Sequence, residues 1–189
     1  MRNQLAPGFL VASPSLRCPF FHHTLVLLVA HDAEGSFGLV VNRPIELPFG
    51  AVLEGMGLEA EGRIAPDVPV MLGGPVSPDT GYLLLERTPG FHAGAEAKDV
   101  GSDIVLSSSA HLLRRLARGE GPRRSMLLLG YSGWGAGQLE REMREGSWIP
   151  VDLAADLVFD APVEERWKLA LEKLGIDPAH VVGRDVASA

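Results

Sequence analysis

The segment Leu127-Leu128-Leu129-Gly130-Tyr131-Ser132-Gly133-Trp134-Gly135-Ala136-Gly137-Gln138-Leu139-Glu140-Arg141-Glu142 decides how this chain is read. A short apolar run stops at Gly130, glycines crowd the positions that follow, and a helix-forming polar stretch begins at Gln138. Strand, glycine turn and helix, in that order, is how α/β proteins commonly build a site at the carboxyl end of a strand. Glycine permits positive φ and lets another group approach closely, so Gly133, Gly135 and Gly137 are expected to be required by shape. Trp134 is expected to anchor the turn with a partly buried ring and to donate its indole N–H. Ser132 needs only to be small.

Two catalytic motifs almost fit. A nucleophile elbow requires G-x-S-x-G, and Gly130-Tyr131-Ser132-Gly133-Trp134 ends on tryptophan where the last glycine belongs. Dinucleotide binding requires G-x-G-x-x-G, and Gly133-Trp134-Gly135-Ala136-Gly137 has the wrong final spacing. No Lys-Ser/Thr pair follows the glycines, so the phosphate-cradling loop of nucleotide hydrolases fails as well. What stays open is an anion site at the helix start, a structural turn, or a binding surface of another kind.

The 189 residues suit one domain, and 46% hydrophobic with 22% charged residues is an ordinary globular balance. A formal charge of −7 argues against a surface that coats nucleic acid. Cys18 is the single cysteine, which leaves neither an intrachain disulfide nor a cysteine metal cluster. Pro7-Gly8 interrupts the first apolar stretch before signal-peptide length, and no run reaches the roughly 18 residues of a membrane span. A cytoplasmic location is expected.

Taken in order, Phe9–Ala12, Thr24–Ala30 and Phe37–Val41 read as strands, the last two as a hairpin with a longer loop. Pro48–Met56 reads as a helix closed by Gly57, and Glu59–Asp67 as a polar loop. Val70–Leu72, Gly81–Leu85 and Ile104–Leu106 read as strands, while Glu86–Gly101 shows no period. Ser107-Ser108-Ser109 offers an N-cap for a helix with Leu112, Leu113 and Leu116 on one face. Trp148-Ile149 and Leu157-Val158-Phe159 read as short strands. Asp160 and Pro162 open a final amphipathic helix with Val163, Trp167, Ala170, Leu171 and Leu174 in helical spacing, closed by Gly175 with Ile176 folded back. The pattern implies an α/β (α+β) chain, a single compact domain with a mixed sheet flanked by helices.

Three groups invite a functional reading. His22, His23, His31 and Asp32 include metal-ligating types, but at no standard spacing; the better reading of His31 is a cap on the hairpin turn through its ring nitrogens. Arg114, Arg115, Arg118, Arg123 and Arg124 form a basic cluster, either a contact for phosphate or acidic partners or a solvated helix face. Gln138 and Glu142 lie one helical turn apart and, with Asn42 and His31, could line a polar cleft. The other reading is that Gln138 and Asn42 satisfy backbone groups in tight turns.

Several stretches, in order, resemble the YqgE/AlgH family of bacterial proteins: Ala12-Ser13-Pro14-Ser15-Leu16 with Pro19 and Phe21, His31 with Gly35, and Gly38-Leu39-Val40-Val41-Asn42-Arg43-Pro44. Gly73-Gly74-Pro75-Val76, Gly121-Pro122 and Gly130 through Glu140 follow, then Trp148, Phe159-Asp160, Trp167 and Leu174-Gly175-Ile176-Asp177. The resemblance implies a compact cytosolic α/β protein of unsettled activity, some relatives being labelled transcriptional regulators. Cys18 and Ala30 stand where that family often has acidic residues, Thr80 where it often has arginine, and Leu85 where it often has histidine. Together these readings predict a regulatory or adaptor protein rather than an enzyme. Its binding surface would comprise His31, Asn42, Ser132, Trp134, Gln138 and Glu142, with no cofactor or metal, no direct DNA binding, and a protein or small molecule as partner. The alternative is a hydrolase-like enzyme using Ser132 or Glu142.

Overall fold

The computed structural model describes residues 5–58 and 68–177; the loop expected over Glu59–Asp67 lies outside the described residues. In chain order the elements are β1 (Gly8–Ala12), β2 (Leu25–Asp32), β3 (Gly35–Val40), α1 (Phe49–Gly55), β4 (Val70–Leu72), β5 (Val76–Glu86), β6 (Lys98–Val100) and β7 (Ile104–Ser107). They continue with α2 (Ala110–Ala117), β8 (Ser125–Gly135), α3 (Gln138–Arg144), β9 (Trp148–Asp152), α4 (Asp156–Phe159) and α5 (Arg166–Glu172), a 3-10 turn at Val163–Glu165 preceding the last. The protein is α+β, with mixed β pairing and short helices.

Its contacts gather into two compact units, Met1–Arg43 with Ser132–Ala189, and Pro44–Tyr131. In the first, antiparallel strands run in the order β9-β1-β2-β3-β8. The register aligns Leu10 with Val26 and Val26 with Val40, which puts these three side chains on one face. There they pack with Trp134, Leu139 of α3 and Trp148. Phe9, Leu27 and Leu39 align on the opposite face, the side taken by α5, and all three are buried. Burial on both faces is why the run in β2 is continuously apolar and does not alternate.

In the second unit the order is β6-β7-β5-β8-β4, with β4 parallel to β8 and the other pairs antiparallel. Its core joins Leu83, Leu85 and Leu127 from strands to Phe49, Val52 and Leu53 of α1 and to Leu112, Leu113 and Leu116 of α2. The leucine face of α2 was therefore readable from its period. Ser109 occupies the N-cap position without a side-chain cap bond; its own N–H donates to Ser107 Oγ at 3.2 Å.

Four local expectations need correction. The glycine segment after Gly130 is strand and not turn: Ser132–Gly135 pair with Gly35–Gly38, and the reversal is confined to Ala136-Gly137. Glycine weakens a strand but does not prevent its backbone from pairing. The β2–β3 hairpin is tighter than expected, because pairing extends to Asp32 opposite Gly35 and leaves only Ala33-Glu34 as loop. Leu157–Phe159 belong to helix α4, a run too short for its period to separate helix from strand. The final helix is interrupted, since Val163 sits in the 3-10 turn and only Trp167, Ala170 and Leu171 of the apolar series are buried, Leu174 being 40% exposed. Its end is as expected: Gly175 has φ +71°, and Ile176 N–H returns to Leu171 O at 3.1 Å.

Candidate functional site

β8 carries Trp134 onto the face covered by α3, and glycines clear its path. A Cβ on Gly38 would stand 2.7 Å from Val26 Cγ1 and 3.4 Å from Trp134 Cζ3; one on Gly35 would meet Trp134 O at 2.3 Å. Only glycine at those two positions of β3 lets the indole and its strand lie so close. Gly137, at φ +70°, is the N-cap residue of α3 and turns the chain into the helix.

The helix then returns a carboxylate to the indole. Trp134 Nε1 donates to Glu142 Oε2 at 3.0 Å, and Trp148 Nε1 donates to the same oxygen at 2.8 Å. Gln138 Nε2 donates to Glu142 Oε1 at 2.8 Å, while Gln138 Oε1 accepts the Gly135 N–H at 3.0 Å. The two indoles meet edge to face with centroids 5.7 Å apart, and Phe21 stacks against Trp134 at 6.5 Å and meets Trp148 edge-on at 5.3 Å. Both tryptophans are buried. Glu142 is thus a strap joining β8, α3 and β9, held by three side-chain donors.

The structure therefore brings Trp134, Gln138 and Glu142 into one hydrogen-bonded group, while Asn42 and His31 bond to other partners. Ser132 is buried within β8, opposite Gly38. Asn42 is a backbone clamp: its Oδ1 accepts Leu25 N–H at 2.8 Å and its Nδ2 donates to His23 O at 2.9 Å. His31 faces Ser36 across the hairpin, with Nδ1 2.8 Å from Ser36 Oγ and Nε2 3.7 Å from Glu140 Oε1.

Elsewhere, His22 and His23 stack with centroids 3.7 Å apart, and His23 lies 4.0 Å from the Trp167 ring. Burial, then the neighbouring His22 and Arg43, pulls the His23 imidazole below its ordinary value. Among the described residues no group of three or more histidine, cysteine, aspartate or glutamate side chains stands where it could hold a metal ion. In the basic cluster, Arg115 donates to His92 O at 2.8 Å and lies over the Phe91 ring at 4.7 Å, and Arg124 pairs with Glu86 at 3.1 Å. Arg114 and Arg123 are exposed. Burial lowers the Arg166 guanidinium to about 10, with Glu164 acting the other way, and its donors reach Ala161 O and Val41 O.

Sequence reasoning missed Trp148 as a partner of Glu142, and missed Ser36 and Glu140 beside His31. The first had no local signal. Ser36 was available in the hairpin itself, since a two-residue loop at Ala33-Glu34 forces His31 opposite Ser36, whereas Glu140 reaches His31 only through the packing of α3.

An α+β chain whose Gly-Trp-Gly strand is strapped to the following helix by glutamine and glutamate defines the class. The chain belongs to the AlgH-like family, which it matches over residues 9–179. A UPF0301 protein of Anaeromyxobacter dehalogenans is 47% identical over 180 residues, covering 93% of this chain and 90% of that one. A UPF0301 protein of Paracoccus denitrificans is 39% identical over 177 residues, 93% of each. The solution structure of the AlgH protein from Pseudomonas aeruginosa matches with a TM-score of 0.78 at 33% identity, over 100% of this chain and 96% of that one. A protein of Corynebacterium diphtheriae shares the fold, with a TM-score of 0.75 at 19% identity.

Proposed function

We propose that this AlgH-like chain is a non-enzymatic regulatory or adaptor protein of the cytoplasm, acting through the surface around Gly133–Gly137. The observation that carries the reading is the commitment of Glu142. Both of its oxygens serve Trp134, Trp148 and Gln138, and the neighbouring hydroxyl of Ser132 is buried. The two groups that chemistry at this segment would require are therefore used to shape it. Gly133, Gly135, Ala136 and Gly137 are exposed above this rigid base, a preorganised edge of the kind that binds without large ordering cost. No helix among the described residues is long and apolar enough to cross a membrane, which accords with a cytoplasmic role.

The partner is a protein or small molecule, not DNA. With net charge −7, regulation would proceed by protein contact, and no appreciable gel shift is expected at physiological salt. Nanomolar DNA binding abolished by Arg114→Glu with Arg123→Glu would reverse that part. The main test is affinity capture from native extract by the wild type and by Ala136→Arg, which alters the exposed edge but no packed group. A partner retained by the first and lost by the second supports the reading. Turnover of a small molecule that disappears in both Ser132→Ala and Glu142→Gln overturns it.

A further inference from the structure

We infer that Ser36 is an activated hydroxyl that takes an acyl group from an activated ester or thioester. His31 acts as its base and Glu140 positions His31. The site adjoins the proposed binding surface, since Ser36 lies opposite Trp134 in the β3–β8 pairing, but it uses none of the groups in the Glu142 strap.

Three residues from separate elements supply the geometry. Ser36 is the second residue of β3, His31 lies opposite it near the end of β2, and Glu140 lies in the first turn of α3. The Ser36 Oγ to His31 Nδ1 distance of 2.8 Å is a full hydrogen bond. The other ring nitrogen, Nε2, faces Glu140 Oε1 at 3.7 Å. That separation exceeds a hydrogen bond, so Glu140 acts on the ring as a nearby negative charge, which favours the tautomer with its proton on Nε2 and Nδ1 accepting from the serine. Nucleophile, base and orienting carboxylate in a row is the arrangement by which hydroxyls are activated on unrelated folds. The group reaches solvent: Ser36 is half-buried, and the side chains of His31 and Glu140 are 18% and 40% exposed.

The step balances without a further reactant. Ser36 Oγ forms a bond to the carbonyl carbon as its proton passes to His31 Nδ1. The tetrahedral adduct collapses by breaking the bond to the leaving alkoxide or thiolate, and His31 returns the proton to that group. Deacylation is slower than acylation, because the serine alkoxide of the acyl ester is a poorer leaving group than the thiolate or activated alkoxide of the donor. The hairpin amides help neither step, since Glu34 N–H and Gly35 N–H both donate to Asp32 Oδ1, at 2.9 and 3.3 Å. The outcome is therefore one acyl group held per chain and not continuous turnover, which is compatible with a protein that otherwise acts by binding.

The experiment treats the full chain with p-nitrophenyl acetate and follows p-nitrophenolate release, intact mass and the modified residue by peptide mapping. The expected result is a burst of one equivalent and an acetyl ester on Ser36 that hydroxylamine removes, unlike a lysine amide. Ser36→Ala abolishes the burst. His31→Gln slows it about a hundredfold, the scale of a lost general base. Glu140→Gln slows it several-fold and shifts the pH at which the rate rises, a change that a purely structural role would not produce. The wild-type rate also rises with pH as the base loses its proton, a readout that needs no variant to fold. Acetylation confined to amines, a burst equal in Ser36→Ala, or a rate that does not rise with pH overturns the inference.

Discussion

Trp134 and Glu142 are joined by a 3.0 Å hydrogen bond from the indole nitrogen to a carboxylate oxygen that Trp148 also uses. Removing the carboxylate leaves two buried indole donors unpaired. Glu142→Ala should lower unfolding free energy by about 2–3 kcal/mol, the scale of lost charged hydrogen bonds with stranded donors. Glu142→Gln, which keeps one acceptor oxygen but turns a donor toward other donors, should cost about 1–2 kcal/mol. Urea melts of the two variants check both values; a silent Glu142→Ala would mean that the strap does not support the fold.

Trp134 is only 6% exposed, so truncating it opens a cavity beneath α3. Trp134→Ala should cost about 3–5 kcal/mol. Ser132→Ala should cost about 1 kcal/mol or less, since it removes a buried hydroxyl without volume strain. The order of the two is the decisive measurement, and a reversed order in denaturant midpoints would show that Ser132 anchors the segment.

The glycines of the central segment should separate into required and tolerant positions. Gly130 has φ +71°, and a Cβ there would stand 2.4 Å from Gly74 O. Gly130→Ala should therefore cost about 2 kcal/mol or more. Gly135 lacks a positive φ, and only Gln138 Oε1 lies near its Cβ position, at 3.9 Å. Gly135→Ala should change stability by no more than about 0.5 kcal/mol. Thermal melts that rank the pair the other way would contradict this assignment.

His23 predicts a pH dependence. Its folded-state value lies below the ordinary 6.5, first through burial and then through His22 and Arg43. The unfolded chain therefore takes up the proton first as pH falls. The stability contributed by neutral His23 is fully present above the unfolded value, declines as pH drops from there through the folded value, and then levels off. His23 sits at φ +53°, a conformation asparagine accepts, so His23→Asn removes the titration without backbone strain. Urea midpoints between about pH 8 and about pH 5 should fall for the wild type and fall less for His23→Asn.

Local pattern determined much of this protein. The double-sided apolar run of β2, the leucine face of α2, the glycine end of α5 and the helical spacing of Gln138 and Glu142 are all properties of neighbours in sequence. Each follows from backbone period and capping chemistry. The motifs from Ala12 to Asp177 also pointed to the AlgH-like family. Tertiary structure decided what local pattern could not. Whether glycines at 133 and 135 turn or pair depends on β3 lying alongside, and β3 accepts them because Gly35 and Gly38 lack side chains. Leu157-Val158 form a helix where three apolar residues carry no period. The bond from Trp148 to Glu142 and the approach of Glu140 to His31 depend on elements whose registers are set by the whole sheet, since a side chain's partner is chosen by packing and not by its spacing along the chain.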